Sequence, residues 1–154
     1  MKLKGIALFL FISIFASWSL AASDDAKKPE TFADFWNRFK TAIESHLGRP
    51  YVWGACGLKS FDCSGFIYRV MTESGIFIKR TTARRYYLTL PEAADDKWKF
   101  GNLVFFDDLK HVGIVAGPDS FYHAETSIGT NHSKFDPYWR KKIYGFRTIP
   151  HPSR

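Results

Sequence analysis

The apolar residues of this chain change their spacing near Gly101. Before it, Phe32, Phe35, Trp36, Phe39, Ile43 and Leu47 recur at intervals of three and four, and Phe66, Ile67, Val70 and Met71 give a second such face. That is the period of an amphipathic helix. After it, Leu103–Phe106, Val112–Ala116, Phe121–His123 and Ile143–Ile149 are short apolar runs, divided by turn residues such as Gly117-Pro118-Asp119. Runs of this kind read as closely spaced strands. Helices first and antiparallel strands afterwards predict a single α+β domain. Thr31, with Asp34 three residues on, forms a near capping box for the first helix, and Gly48 and Pro50 end it. That helix is expected to bury three large aromatics. The second helix is expected to start at Asp62-Cys63 and to close at Gly75. Residues 76–100 are mixed and are assigned no element. The length of 154 residues, 45% hydrophobic and 24% charged, suits one globular domain. No apolar run reaches the roughly eighteen residues of a membrane span, which excludes a multi-spanning protein. No repeat with a period of about 20–50 residues is present, so a solenoid is excluded. Two cysteines are too few for a disulfide scaffold.

The first residues do not read as part of the fold. Lys2 and Lys4 precede a mostly apolar stretch from Gly5 to Phe15; small residues follow (Ala16, Ser17, Ser19, Ala21, Ala22), and then Asp24-Asp25. This is the layout of a secretory signal, with Ser19-x-Ala21 fitting the cleavage rule. Residues 1–21 are therefore expected to be a signal peptide, 22–29 a flexible leader, and 30–154 the single domain. The apolar core is short for a bilayer anchor, and no cysteine near the cut offers a lipidation site. The expected product is periplasmic or secreted, monomeric and without a stable membrane anchor. Cleavage removes Lys2 and Lys4 and lowers the formal charge of +7 by two. A basic balance favours anionic surfaces. The basic residues are scattered, however, and no groove-entering motif accompanies them, so nucleic acid is not an expected partner.

Cys63 is a candidate nucleophile. Its place at a predicted helix N-terminus puts unpaired N–H groups and the positive end of the helix dipole beside the sulfur. Both are expected to lower the thiol pKa. Ser64 and Gly65 leave room for close approach, and Asp62 is a plausible N-cap. A nucleophilic cysteine needs a base, most often histidine. His46, His111, His123, His132 and His151 are available. His111 begins one predicted strand and His123 lies in the next, so the two can face the same way, one as base and the other holding it. A buried structural cysteine is the plainer reading of Cys63 alone. Zinc held by Cys56, Cys63, His111 and His123 is disfavoured, because the cysteines are more widely spaced than in ordinary zinc sites. No metal or other cofactor is expected.

Four segments in order, Pro50-Tyr51-Val52-Trp53-Gly54, Phe61-Asp62-Cys63-Ser64-Gly65-Phe66, Gly101-Asn102-Leu103-Val104-Phe105-Phe106 and His111-Val112-Gly113-Ile114, resemble the NlpC-type cell-wall peptidases. The resemblance covers about residues 48–149. It implies a papain-like fold, with N-terminal helices packed on an antiparallel sheet, and a cysteine endopeptidase acting on peptidoglycan stem peptides. Cys63 then matches the nucleophile of a Cys-His-His triad working through a thioester, His111 its general base, and His123 the residue orienting the base. Tyr51 matches a tyrosine lining the site, and Asp62 and Ser64 match positions that in some members receive the free amino end of the stem peptide. Arg80, in Arg80-Thr81-Thr82-Ala83, resembles a basic position beside the groove and suits a peptide bearing carboxylates. The implied bond joins D-γ-glutamyl to the diamino acid.

Ala55, Arg85 and Asn102 depart from residues common in that family, and none removes a catalytic group. Cys56 lies seven positions before Cys63, and in an oxidising compartment the two could pair if their geometry allowed; packing of Cys56 as a small loop residue is the favoured reading. A cysteine-dependent acyltransferase or amidase on the same fold, and a wall-lytic toxin delivered to competitor cells, are the alternative functions.

Overall fold

A computed structural model describes residues 31–93 and 96–151. The expected signal peptide and leader lie outside the described residues. Helix α1 spans Phe32–Ser45 and opens with a complete capping box, in which the Asp34 N–H donates to Thr31 Oγ1 (3.1 Å) and the Thr31 N–H donates to Asp34 Oδ2 (3.0 Å). Phe35 and Phe39 are buried on its inner face, whereas Trp36 is only half-buried. The expected third buried aromatic is therefore a flanking residue that covers the core edge against Phe100. Helix α2 spans Cys63–Glu73 with Asp62 as its N-cap, and Gly75 follows at a φ of 84°, the left-handed conformation that stops a helix.

Five antiparallel strands form one sheet in the order β4-β3-β2-β1-β5: β1 Leu103–Phe106, β2 His111–Gly117, β3 Ser120–Glu125, β4 Gly129–Lys134 and β5 Ile143–Arg147. Alternation along each strand divides its side chains between two layers. Leu103, Phe105, Val112, Ile114 and Ala124 face α1 and α2, packing on Phe39, Ile43, Phe66, Ile67 and Met71. Val104, Phe106, Val115 and Phe121 face the other way, against Phe135, Phe146, Trp98 and Trp139. Covering both faces explains why β1 reads as an unbroken apolar run rather than an alternating one.

Three elements were not expected from the sequence. Helix α3 (Ala83–Thr89) buries only Ala83 and Tyr86, too few apolar positions for a period to be visible. Strand β4 has the polar sequence Gly-Thr-Asn-His-Ser-Lys and lies at a sheet edge. Helix α4 (Pro137–Lys142) is a short amphipathic piece with no fully buried residue. Its Asp136-Pro137 start is a helix signal, an N-cap residue followed by proline in the first turn.

Candidate active site

The loop between α1 and α2 delivers Cys63. Its two ends are zipped together: the Val52 N–H donates to the Phe61 carbonyl (3.0 Å), and the Asp62 N–H donates to the Ala55 carbonyl (2.9 Å). Asp62 then organises everything around the helix start. Its carboxylate accepts from the N–H groups of Gly65 (2.6 Å) and Gly54 (2.8 Å), from Ser64 Oγ (3.0 Å), and from Arg80 Nη2 at both oxygens (2.9 and 2.8 Å). Arg80 also donates to Ser64 Oγ (2.9 Å) and to the Thr81 carbonyl. Three of the residues expected to bind substrate, Asp62, Ser64 and Arg80, thus form one charge-assisted network beside Cys63.

Cys63 is 7% exposed, and its Sγ donates to the Lys110 carbonyl at 3.9 Å. Burial pushes the thiol up to about 11, and the Asp62 carboxylate adds to the rise; backbone contacts at Val112 and Ser64 offset part of it. The expectation of a lowered thiol pKa is therefore corrected. The helix N-terminus is present, but desolvation and an adjacent anion outweigh it.

His123 pairs with Gly113 across the β2–β3 ladder, which puts His111, two residues along β2, on the same face as a diagonal neighbour. His111 Nε2 lies 2.9 Å from His123 Nδ1, and His123 Nε2 lies 2.9 Å from Ser133 Oγ. The far end of this chain fixes its polarity. Asn131 Nδ2 donates to the Gly129 carbonyl (3.0 Å), so its Oδ1 accepts from Ser133 (2.7 Å). Having given its proton to Asn131, the Ser133 hydroxyl accepts from His123 Nε2–H. His123 Nδ1 must then accept from His111 Nε2–H, which leaves His111 Nδ1 as the free basic nitrogen. Glu125 Oε2 stands 3.9 Å from His123 Nε2. Trp139 stacks on His111 at 5.5 Å and meets His123 edge-on at 4.9 Å. Burial lowers His111 to about 4 and His123 to about 3, with the neighbouring His111 adding to the second shift. All three shifts favour the uncharged forms, a neutral thiol and two neutral imidazoles.

Two cavities meet at Cys63, and Tyr51, Trp53 and Lys110 border both. One, of about 430 Å³, is lined by Asp62, Ser64, Arg80 and Leu109. The other, of about 630 Å³, contains His111 and is lined by Lys110, Glu125, Trp139 and Lys142. Burial raises the Tyr51 phenol, with the Cys63 and Asp62 charges adding to the shift. Between the cavities runs the β1–β2 turn, whose Asp107, Asp108 and Leu109 all have φ between 51° and 68°. Three consecutive left-handed residues other than glycine are costly and need outside support. The Lys142 carbonyl accepts from the Asp107 N–H (3.1 Å), the Lys142 ammonium pairs with the Asp107 carboxylate (3.2 Å), and Leu109 is buried. Cys56 and Cys63 are both free thiols. Among the described residues, no three His, Cys, Asp or Glu side chains are grouped to hold a metal ion.

The sequence model of the NlpC/P60 family matches residues 48–148. The chain belongs to the NlpC/P60 family. A protein of Listeria innocua named probable endopeptidase p60 is 37% identical over 113 residues, covering 69% of this chain and 23% of the relative. The Escherichia coli K12 protein named murein DD-endopeptidase MepS/murein LD-carboxypeptidase is 30% identical over 134 residues, 84% of this chain and 71% of the relative. The chain thus spans under a quarter of the length of the Listeria relative. Among solved structures, a Staphylococcus aureus Mu50 protein described as similar to lipoprotein, NLP/P60 family, superposes with a TM-score of 0.69 at 28% identity, covering 83% of this chain and 45% of that one. The two helices on an antiparallel sheet are the papain-like arrangement of this NlpC/P60 domain.

Within that domain, the structure brings the sequence-expected Cys63, His111, Tyr51, Asp62, Ser64 and Arg80 to one cleft, with His123 behind His111. It adds four residues that sequence reasoning missed: Asn131 and Ser133 on β4, and Trp139 and Lys142 on α4. The polar composition of β4 hid the first pair. The Asp136-Pro137 helix start was the available signal for the second.

Proposed function

We propose that this NlpC/P60 chain is an exported cysteine endopeptidase of peptidoglycan, hydrolysing the stem-peptide bond between D-γ-glutamyl and the diamino acid. The observation that carries the reading is the thiol of Cys63 bordering the same cavity as an imidazole whose tautomer is fixed from behind. The names of the relatives, a probable endopeptidase and a murein endopeptidase, support the substrate class. The 1–21 segment supports export.

Because the thiol titrates far above the imidazole, the proton moves during attack rather than before it. Cys63 Sγ bonds to the scissile carbonyl carbon as His111 Nδ1 takes the thiol proton. The Cys63 backbone N–H, at the start of α2, donates to the developing oxyanion. The imidazolium is stabilised by donation through His123 to Ser133. His111 then gives its proton to the leaving amine as the C–N bond breaks. Water, deprotonated by the same nitrogen, attacks the thioester; carboxylate product leaves and the thiol is restored.

The test is digestion of purified stem tetrapeptide and of cross-linked peptide by the protein lacking residues 1–21, read by mass spectrometry. Cleavage after D-γ-glutamyl is the expected result. Cleavage only of the D,D cross-link, the second reading that the name of the E. coli relative favours, would move the scissile bond. Transfer of an acyl group without hydrolysis would replace the peptidase reading altogether.

Ser133 is assigned a positioning role. Ser133→Ala removes the acceptor for His123 Nε2–H and leaves the imidazolium less stabilised. We expect kcat to fall about tenfold, a charge-assisted hydrogen bond's worth, with KM unchanged. The acid limb of the pH profile, which falls as pH drops through the His111 value of about 4, should move lower still. Ser133→Thr keeps the hydroxyl and should restore most of the rate. Equal loss in both variants would make Ser133 a packing residue only.

A further inference from the structure

The segment that carries Arg80 has a second side, turned away from Cys63. Thr82, at the end of its extended part, has a φ of −84° and a ψ of 162°. Extended backbone sends successive side chains to opposite sides. Arg80 and Thr82 border the cavity beside Cys63. Lys79 and Thr81 border a different cavity, of about 350 Å³, which shares no lining residue with either cavity at Cys63. Helix α3 completes it, because Arg85 and Thr89, one turn apart, lie on one face of the helix. The floor is apolar. Ile78, Leu90 and the buried Tyr86 pack on the main core, and the Tyr86 hydroxyl is spent on the Lys79 carbonyl (3.3 Å). The rim is cationic. Lys79 and Arg85 are exposed, and among the described residues neither side chain has an ion pair, a hydrogen bond or a ring contact.

Apolar walls with a few polar groups at one end, in a volume of this size, are the make-up of a small-ligand pocket. Two like charges facing one concavity repel each other, and an anion between them turns that repulsion into attraction. A carboxylate or phosphate also matches the fork of the Arg85 guanidinium. A bare inorganic anion would leave the apolar floor in water. An uncharged apolar molecule would leave both cations unanswered. We infer that this cavity is a second binding site, for an organic anion with an apolar body and one carboxylate or phosphate group, the charge held by Lys79 and Arg85 and the body lying on Tyr86. Arg85 departs from the residue common in the family, so the cation pair is a feature of this chain. The site is independent of the endopeptidase reading, since it shares no residue with the catalytic cleft.

Four probes test this. Phenyl phosphate and benzoate carry both ring and charge, inorganic phosphate the charge alone, and benzyl alcohol the ring alone. Each is titrated into the purified protein and followed through the amide NMR shifts of Ile78, Thr81 and Thr89. At least one of the two ring-bearing anions is expected to saturate in the millimolar range, ordinary for a fragment of this size. It should bind about tenfold more tightly than inorganic phosphate or benzyl alcohol. The tighter of the two identifies the preferred oxyanion, phosphate or carboxylate. Arg85→Gln and Lys79→Gln should each weaken that binding about tenfold. Neither side chain is buried or bonded, so both variants should fold as the wild type does. Equal affinity for inorganic phosphate and phenyl phosphate would reduce the pair to two solvated surface cations and overturn the site. Shifts confined to the catalytic cleft, an absence of saturation, or variants that bind as the wild type does would overturn it as well.

Discussion

Cys63→Ala should abolish peptide hydrolysis, with turnover falling on the order of 10⁴-fold or more, and leave the fold intact. The first half follows from the proposed role: without sulfur no thioester forms, and water must attack the amide directly in a site built for another nucleophile. The second half follows from what Sγ touches. It meets the Lys110 carbonyl at 3.9 Å and backbone groups of Val112 and Ser64, and carries none of the side-chain capping contacts that hold the start of α2. Circular dichroism should give a melting curve close to that of the wild type. Undiminished hydrolysis by the variant would remove Cys63 from the mechanism. The same residue supplies a pH test in the wild type. Since burial and Asp62 raise the thiol to about 11, the thiolate fraction at neutral pH is small and grows about tenfold per pH unit up to that value. Alkylation by iodoacetamide should therefore climb steadily from pH 7 to 10. A rate that levels off below pH 8 would mean a resting thiolate–imidazolium pair, opposite to the neutral pair described above.

Gly65→Ala should damage the fold severely for so small a change. A Cβ at Gly65 would overlap the Ala55 carbonyl oxygen, sit 2.9 Å from the Ala55 carbonyl carbon and stand 3.2 Å from Asp62 Oδ1. None of these is the movable tip of a flexible side chain. The Ala55 carbonyl accepts from the Asp62 N–H, so relieving the overlap means opening the loop at the point where Asp62 caps α2. The expected cost is about 3 kcal/mol, or roughly a 10 °C fall in melting temperature for a domain of this size. Hydrolysis should fall even in the fraction that stays folded, because the shifted carbonyl moves Asp62 and Cys63 together. An unchanged melting temperature would show that the loop yields without strain.

Much of the site is legible in the sequence because it depends on local rules. Asp62 before an apolar helical period marks the α2 cap, and with it the place of Cys63. Alternation in two strands joined by a short turn puts His111 and His123 on one face. What escaped depends on tertiary context. Ser133 and Asn131 stand on an edge strand with no apolar rhythm, recruited by pairing with β3 and not by its own propensity. Trp139 and Lys142 belong to a six-residue helix, below the length at which periodicity is visible. The thiol pKa was misjudged for a related reason: the helix end can be read from residue order, whereas the depth of burial and the orientation of the Asp62 carboxylate cannot.

The buried, protonated state of Cys63 bears on how long such a protein can wait for its substrate. Thiolates attack peroxides and disulfides far faster than thiols do, and access matters as much as charge. A buried cysteine whose thiol pKa is raised is shielded on both counts. In the proposed mechanism, reactivity is withheld until a peptide fills the cleft and His111 accepts the proton. Under that mechanism the Cys63 sulfur is thus spared oxidation between encounters with substrate.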